Sequence, residues 1–284
     1  MTNRKKRILL TGGSGFIGKN IVEILGGQHD IIAPLQQELN LLDSQAVADF
    51  FKQHPVDIII HAAHIGGYVA EEEINIASAQ NILMFFNLAR QLGPHQRMVF
   101  LGSGAEYDKR VDIASISEED FDRSVPIDSY GFAKYVCSKY IAATTNITNL
   151  RCFGVYGKYE QTSRFISNAI LTTLKKQPIT IRQNTYFDYL YVNDLVTILN
   201  HCIMHEPKRR FYNATSGYRI DLATLASLVQ KIAGVEYGIT IGQEGFSKEY
   251  TGSNARLQKE IPHLQLTSLE DGIKALFAYY QSKL

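Results

Sequence analysis

The sequence predicts an α/β protein, a doubly wound parallel sheet with helices on both faces, and two observations predict it. Short apolar runs alternate with segments of helical spacing through the first half of the chain, and the first of those runs stops at a cluster of glycines. Alternation of this kind is the signature of strand–helix–strand units, whose crossovers lay helices on the two sides of parallel strands.

Each element follows in order. Ile8-Leu9-Leu10-Thr11 reads as a buried strand, and Phe16 to Leu25 continues with helical spacing. Asp30 to Ala33 is expected as a strand before a helix over Ser44 to Gln53. Val56 to His61 precedes a helix over Ile74 to Leu92, and Met98 to Ser103 precedes one over Ser129 to Thr145. Thr148 to Cys152 is a further strand. Beyond Gly154 the rhythm changes to helices of mixed length with short strands, such as Ile179 to Arg182 and Tyr189 to Val192, and closes on an amphipathic helix over Leu269 to Tyr280. The expected division is a first unit over residues 1–155 and a smaller α/β part over residues 156–284. No Pro- or Gly-rich linker separates them, so the two are expected to interleave.

Composition narrows the function classes. With 284 residues, 45% of them hydrophobic and 20% charged, the chain can bury a full core. A formal net charge of +1 supplies no global field for nucleic acid or an anionic membrane, so an anionic ligand must be held locally. The three cysteines, Cys137, Cys152 and Cys202, form no Cys-x-x-Cys pair, which fits a reducing cytoplasm. The basic start precedes an apolar stretch of only Ile8 to Leu10, too short for a signal peptide or membrane span.

The segment Gly12-Gly13-Ser14-Gly15-Phe16-Ile17-Gly18 carries Gly-x-x-Gly-x-x-Gly between the first strand and the first helix. Glycines there allow a tight turn and close approach of the backbone to a pyrophosphate. Free amides at the helix start supply donors and partial positive charge. The segment therefore predicts a bound dinucleotide. The residue closing the second strand selects between NAD and NADP, an acid favouring the free ribose and a base the extra phosphate. Ala33-Pro34-Leu35-Gln36-Gln37 offers neither. With no acid to repel a phosphate, the balance favours NADP over NAD, with Ser14 and Gln36 as neutral donors and Asp43 nearer the adenine.

Tyr130-Gly131-Phe132-Ala133-Lys134 places a phenol and an ammonium four residues apart, on one face of a helix. A free tyrosine titrates near ~10, and a fixed cation nearby is expected to favour the phenolate. Ser103 ends the fourth strand, at the carboxyl edge where open α/β sheets bind ligands. Its hydroxyl is suited to hold a substrate oxygen. Tyr-x-x-x-Lys alone is common, and the specific signal is its combination with the glycine segment and the serine in this order.

In these residues the chain resembles the extended short-chain dehydrogenase/reductases, the NAD-dependent epimerase/dehydratase family with its Rossmann-type sheet, over essentially its whole length. The nearest subgroup is that of GDP-fucose synthase and its 4-ketoreductase relatives, by the segments Glu38-Leu39-Asn40-Leu41-Leu42-Asp43-Ser44 and Ala62-Ala63-His64-Ile65-Gly66-Gly67. The resemblance implies a catalytic Ser103, Tyr130 and Lys134, with Tyr130 as proton donor to a C4 carbonyl and Lys134 also binding the nicotinamide ribose. It sets His61, Ala62 and Ala63 beside the cofactor, and His64 and Tyr68 beside a sugar. It also implies a homodimer joined through the helices that carry Tyr130 and residues 74–92.

The departures from that pattern restrict the reaction. Gly104-Ala105 stands where dehydratases carry an Asp-Glu pair. Ala105 and Arg164 stand where fucose synthases carry the cysteine and histidine used for epimerisation. What remains is hydride transfer with one proton transfer, the work of a simple reductase of a nucleotide-linked 4-keto-6-deoxy sugar, GDP-linked hexose or heptose favoured, for surface polysaccharide. In the segment running from Tyr186 to Asp194, Phe187 replaces the arginine expected near the substrate diphosphate, leaving Arg164, Arg182, Lys158 and Arg219 as candidate cations, Arg164 placed best. A C4 epimerase with tightly bound NAD is the rival enzyme, and a non-catalytic dinucleotide sensor the rival of another class.

Other features are read as structural. His61 and His64, three apart at the end of a strand, point to opposite faces and are not expected to share a metal. Glu71-Glu72-Glu73 reads as an acidic helix cap, the tyrosines at 186, 189 and 191 as packing, and Cys137 as packing behind the Tyr130 helix.

Overall fold

The computed structural model describes residues 4–66 and 74–283. Tyr68 and the Glu71-Glu72-Glu73 run lie outside the described residues.

Thirteen strands and nine helices are described. In chain order they are β1 (Arg7–Thr11), α1 (Phe16–Leu25), β2 (Asp30–Ile32), α2 (Ser44–Gln53), β3 (Ile58–His61), α3 (Ile74–Ala89), β4 (Arg97–Ser103), β5 (Ile113–Ile116), α4 (Ser129–Ala142), β6 (Ile147–Cys152) and β7 (Gly154–Tyr156). There follow α5 (Phe165–Leu174), β8 (Ile179–Asn184), β9 (Tyr186–Tyr191), α6 (Val192–Met204), β10 (Phe211–Ala214), β11 (Arg219–Asp221), α7 (Leu222–Ala233), β12 (Ile239–Phe246), β13 (Tyr250–Gly252), α8 (Ala255–Glu260) and α9 (Leu269–Gln281).

The main sheet has six parallel strands in the order β10-β6-β4-β3-β1-β2. Alternate residues of its strands feed opposite layers, as the two-residue period requires. Ile8, Leu10, Ile58, Ile60, Val99 and Leu101 pack on one side with Ile21 of α1 and Leu195 and Leu199 of α6. Leu9, Ile59, Met98 and Phe100 pack on the other with Val47 of α2, Phe85 of α3 and Ile141 of α4. This explains why the strands read as continuous apolar runs rather than as alternating ones.

The chain moves between two bodies more than once. The sixth strand of the main sheet, β10, comes from residues far beyond the first five, and α6 covers that sheet beside α1. Conversely β5, from late in the first half, joins a mixed sheet in the order β11-β9-β13-β5, with β7 also paired to β9. Helices α5, α7 and α9 enclose the second core around Ile170, Leu225, Val229 and Ile273. Strand order in the main sheet reverses between β1 and β3, so a crevice opens past Thr11 and His61, the position at which such sheets take ligands. No helix among the described residues is long and apolar enough to cross a membrane.

Candidate active site

The glycine segment turns directly out of β1. Gly12 has φ +76°, and a Cβ there would come within 2.7 Å of the Ala63 amide nitrogen at the end of β3. A Cβ on Gly18 would lie 2.1 Å from the Gly12 carbonyl oxygen, so α1 packs against the turn with no room for a side chain. Gly15 is the N-cap of α1 and carries no capping side chain, which leaves the first amides of the helix for a ligand. This cradle fits a dinucleotide pyrophosphate.

One cavity of about 1250 Å³ runs from this turn into the second body. Phe16, Ile17 and Ala62 line it at the glycine end. Ser103, Ala105, Tyr130 and Lys134 line its middle, and Arg164, Phe187 and Tyr189 line the far part. The sequence-predicted serine, tyrosine and lysine are thus brought together on one wall, beside the candidate cofactor cradle.

Each arrives for a local reason. Ser103 ends β4 and caps a single 3₁₀ turn over Gly104–Tyr107, its Oγ accepting from the Ala105 amide at 3.1 Å. Asp128 caps α4 by accepting from the Gly131 amide at 2.9 Å, which starts the helix just before Tyr130. Lys134 follows one turn later on the same face.

The electrostatics differ from the expectation of a phenol drawn down by a neighbouring cation. Burial pushes the Tyr130 phenol above its ordinary value, with the Ser103 hydroxyl opposing the shift. Burial also holds the Lys134 ammonium below its ordinary value. Lys134 Nζ donates to the Leu101 carbonyl oxygen at 2.7 Å and lies 4.4 Å from the centre of the Phe100 ring. The lysine is therefore anchored to the strand that ends in Ser103.

His61 and His64 have separate environments. His61 Nδ1 lies 2.8 Å from Thr11 Oγ1, and burial pulls the imidazole down to about 3. His64 meets the Tyr130 ring edge to face at 5.0 Å between centroids, and burial pulls it down to about 4. Both rings are neutral at physiological pH. Ala105 is buried against the cavity, and Arg164, the N-cap residue of α5, lines it.

Several expected residues do not line this cavity. Arg182 is exposed on β8, next to β12, and does not line the cavity. Lys158 pairs with Glu23 of α1 at 2.6 Å, and Arg219 pairs with Glu249 at 2.9 Å while stacking on Tyr186. Of the four cations considered for the diphosphate, only Arg164 reaches the cavity. Asp43 caps α2 through Oδ1, which accepts from the Gln45 and Ala46 amides at 2.9 and 3.0 Å, and does not line the cavity. Gln36 and Ser14 are exposed and also lie outside the lining residues.

Other lining residues carried no sequence signal. Lys109 sits 5.7 Å from the Tyr130 ring centre and 3.6 Å from the Asp128 carboxylate. Lys248 and Tyr250 enter the same cavity from the start of β13, and Glu160 enters it from the loop before α5. Burial raises the Glu160 carboxyl to about 7, against the pull of the Ser167 hydroxyl, which donates to it at 2.7 Å.

The chain is similar to known proteins in sequence and in fold. The pattern that defines the NAD dependent epimerase/dehydratase family matches residues 8–215. GDP-L-colitose synthase of Yersinia pseudotuberculosis is 31% identical over 186 residues, 60% of this chain and 59% of that protein, so the match spans less than two thirds of the relative. GDP-6-deoxy-D-mannose reductase of Pseudomonas aeruginosa is 22% identical over an alignment of 305 positions, 98% of each chain. The structure of a GDP-mannoheptose C4 reductase from Campylobacter jejuni with NADP bound superposes with a TM-score of 0.82 at 20% identity, covering 99% of both chains. The glycine cradle at the sheet reversal, the convergent Ser103, Tyr130 and Lys134, and the extent of the family match lead to one conclusion: the chain belongs to the NAD dependent epimerase/dehydratase family.

Proposed function

We propose that the protein is an NAD(P)H-dependent reductase of a nucleotide-linked 4-keto-6-deoxy sugar, a GDP-linked hexose or heptose, in the supply of surface polysaccharide. The observation that carries this reading is one cavity wall. Ser103, Tyr130 and Lys134 stand together beside the glycine cradle, while Gly104 and Ala105, the two residues after the serine, carry no acid or base.

Ser103 holds the carbonyl oxygen of the substrate, and Tyr130, protonated because it is buried, gives that oxygen a proton. A bound reduced nicotinamide supplies the hydride for the carbonyl carbon. Lys134, fixed to Leu101, binds the nicotinamide ribose and sets the position of Tyr130 on α4. The names of the similar proteins, a GDP-6-deoxy-D-mannose reductase and a GDP-mannoheptose C4 reductase, support the choice of nucleotide and reaction. NADP is favoured over NAD because the stretch after β2 carries no acid before Glu38, whose carboxylate accepts from the Leu35 amide at 2.6 Å.

Residues beyond β6, with β5, hold the nucleotide sugar in this reading, and Arg164 is the cation for its diphosphate. A second copy covers the exposed apolar side chains Ile76 and Leu83 of α3 and Phe132 and Tyr140 of α4. A cytoplasmic setting goes with free thiols at Cys137, Cys152 and Cys202.

The test is to follow reduced-nicotinamide absorbance with NADPH or NADH against a panel of nucleotide 4-keto-6-deoxy sugars. Stoichiometric oxidation with one of them is the expected result. No oxidation, with NAD copurifying and interconversion of C4 epimers, would replace the reading by that of an epimerase.

A further inference from the structure

Behind the site lies a buried charged network that the reduction itself does not use. Glu106 and Arg151 are both completely buried, with Arg151 Nε donating to Glu106 Oε2 at 2.6 Å. The guanidinium lies against the edge of the stacked Phe121 and Phe211 rings, 4.3 and 4.6 Å from their centres, and Nη1 donates to the Tyr107 hydroxyl at 3.0 Å. A buried ion pair of this kind is seldom more stabilising than apolar side chains of the same volume. Its connections therefore point to another use.

Those connections run to the catalytic wall. Glu106 Oε1 accepts from the Ser103 amide at 2.9 Å, and Oε2 accepts from the Ser138 hydroxyl at 2.5 Å. Asn149 Nδ2 lies 3.2 Å from both carboxylate oxygens and donates to Ser138 Oγ at 2.6 Å. Ser138 stands one helical turn past Lys134 and two past Tyr130, so the three form a single stripe along α4. The strand is pressed against the same carboxylate, since a Cβ on Gly102 would come within 2.4 Å of Glu106 Oε1.

We propose that Glu106 is a positioning residue that ties the backbone of Ser103 to the Tyr130–Lys134 stripe of α4 through Ser138, with Arg151 balancing its charge. Resting on the reductase reading, this assigns Glu106 the relative placement of the substrate-oxygen holder and the proton donor.

Its charge gives the role a signature. Burial dominates both catalytic groups, raising Tyr130 and lowering Lys134, and the Glu106 carboxylate pushes both upward. Among the described residues, the other groups facing Tyr130 are Ser103, Cys152, Arg164, the neutral His64, Lys109 and Tyr250. Those facing Lys134 are Cys137 and Cys152, with His61 and His64. Among these Glu106 is the carboxylate, so its neutral isostere lowers both values and moves the alkaline limb of reduction to lower pH.

The experiment compares wild type, Glu106→Gln and Ser138→Ala in kcat, KM and pH profile. Glu106→Gln is expected to lose about tenfold or more in kcat with KM within about threefold, and to shift the alkaline limb downward. Ser138→Ala keeps the charge and is expected to lower kcat without moving the limb. A Glu106→Gln enzyme with wild-type kcat, or with reduced kcat and an unmoved limb, overturns the proposal. If Glu106→Gln does not fold, Ser138→Ala decides, a kcat within about twofold of wild type overturning it and a larger loss at unchanged KM supporting it. If wild type reduces no nucleotide sugar, the reductase reading fails separately. The positioning role is then read by ¹⁹F NMR titration of 3-fluorotyrosine at position 130. A lower midpoint in Glu106→Gln than in its parent, or in Ser138→Ala a changed ¹⁹F shift should Glu106→Gln not fold, supports the role. Coincident midpoints, or an unchanged shift in Ser138→Ala, overturn it.

Discussion

Lys134 donates to the carbonyl oxygen of Leu101 at 2.7 Å, joining the helix that carries the phenol to the strand that ends in Ser103. One of the three N–H groups of the ammonium is thereby held by the scaffold, and the Tyr130 phenol is governed by burial rather than by a cation pulling it down. A protonated phenol is the form that a carbonyl reduction starts from.

Replacing that lysine tests the link. Lys134→Met leaves the buried Leu101 carbonyl without its donor and removes the charge beside the cradle. The expected outcome is a kcat about 10²- to 10⁴-fold lower. NADPH affinity, read by fluorescence titration, is expected to fall as well, since the ribose loses its donor. Unchanged affinity and rate would contradict the assignment.

Gly18→Ala addresses the cradle alone. The new methyl would lie 2.1 Å from the Gly12 carbonyl oxygen and 2.7 Å from Gly13 Cα, both backbone positions that move only by opening the turn. Overpacking of this kind costs about 1–3 kcal/mol, so calorimetric titration is expected to show NADPH binding weakened by about tenfold or more. Retention of wild-type affinity would show that the dinucleotide does not sit on this turn.

Ala105 and Gly104 leave the carbons flanking the ketone without a base from this part of the wall. Run in D₂O with unlabelled NADPH, the reduction is expected to yield product with no solvent deuterium on those ring carbons, as read by mass spectrometry and NMR. Deuterium there would mean that epimerisation accompanies reduction.

How much of this was legible in the residues depends on sequence distance. The glycine turn, β1 and α1 are contiguous, and Tyr130 and Lys134 lie one helical turn apart, so local periodicity sufficed for them. Tyr250 and Lys248 reach the same cavity from more than a hundred residues after Tyr130, through pairing of β13 with β5 and β9 that no local pattern encodes. The same holds for β10, which completes a sheet whose other strands end at Cys152. Asp43 has a second role. Asp followed by Ser-Gln-Ala is also a helix N-cap, and two amides of α2 take its Oδ1. Alternation along β8 turns Arg182 to solvent while Ile179 and Ile181 face the core.

Glu160 gives a stability prediction with a definite sign. Its folded-state value stands above the ordinary 4.5, at about 7, through burial. Its contribution is therefore complete below about 4.5 and is lost as pH rises through about 7. Glu160→Gln keeps the acceptor for Ser167 without the charge. Relative to wild type, it is expected to gain stability between pH 5 and pH 8.5 by on the order of 1–3 kcal/mol in urea unfolding. An equal difference at both pH values would show that the carboxyl titrates normally.

The most direct test of the central claim is a single-turnover reaction with NADPH carrying deuterium at its transferable position. Purified wild type and Tyr130→Phe are each mixed with a GDP-linked 4-keto-6-deoxy sugar. The account predicts that wild type places one deuterium on C4 of the sugar, and that Tyr130→Phe does so about 10²- to 10⁴-fold more slowly while still binding NADPH. A product without deuterium at C4, or a Tyr130→Phe enzyme as fast as wild type, would contradict it.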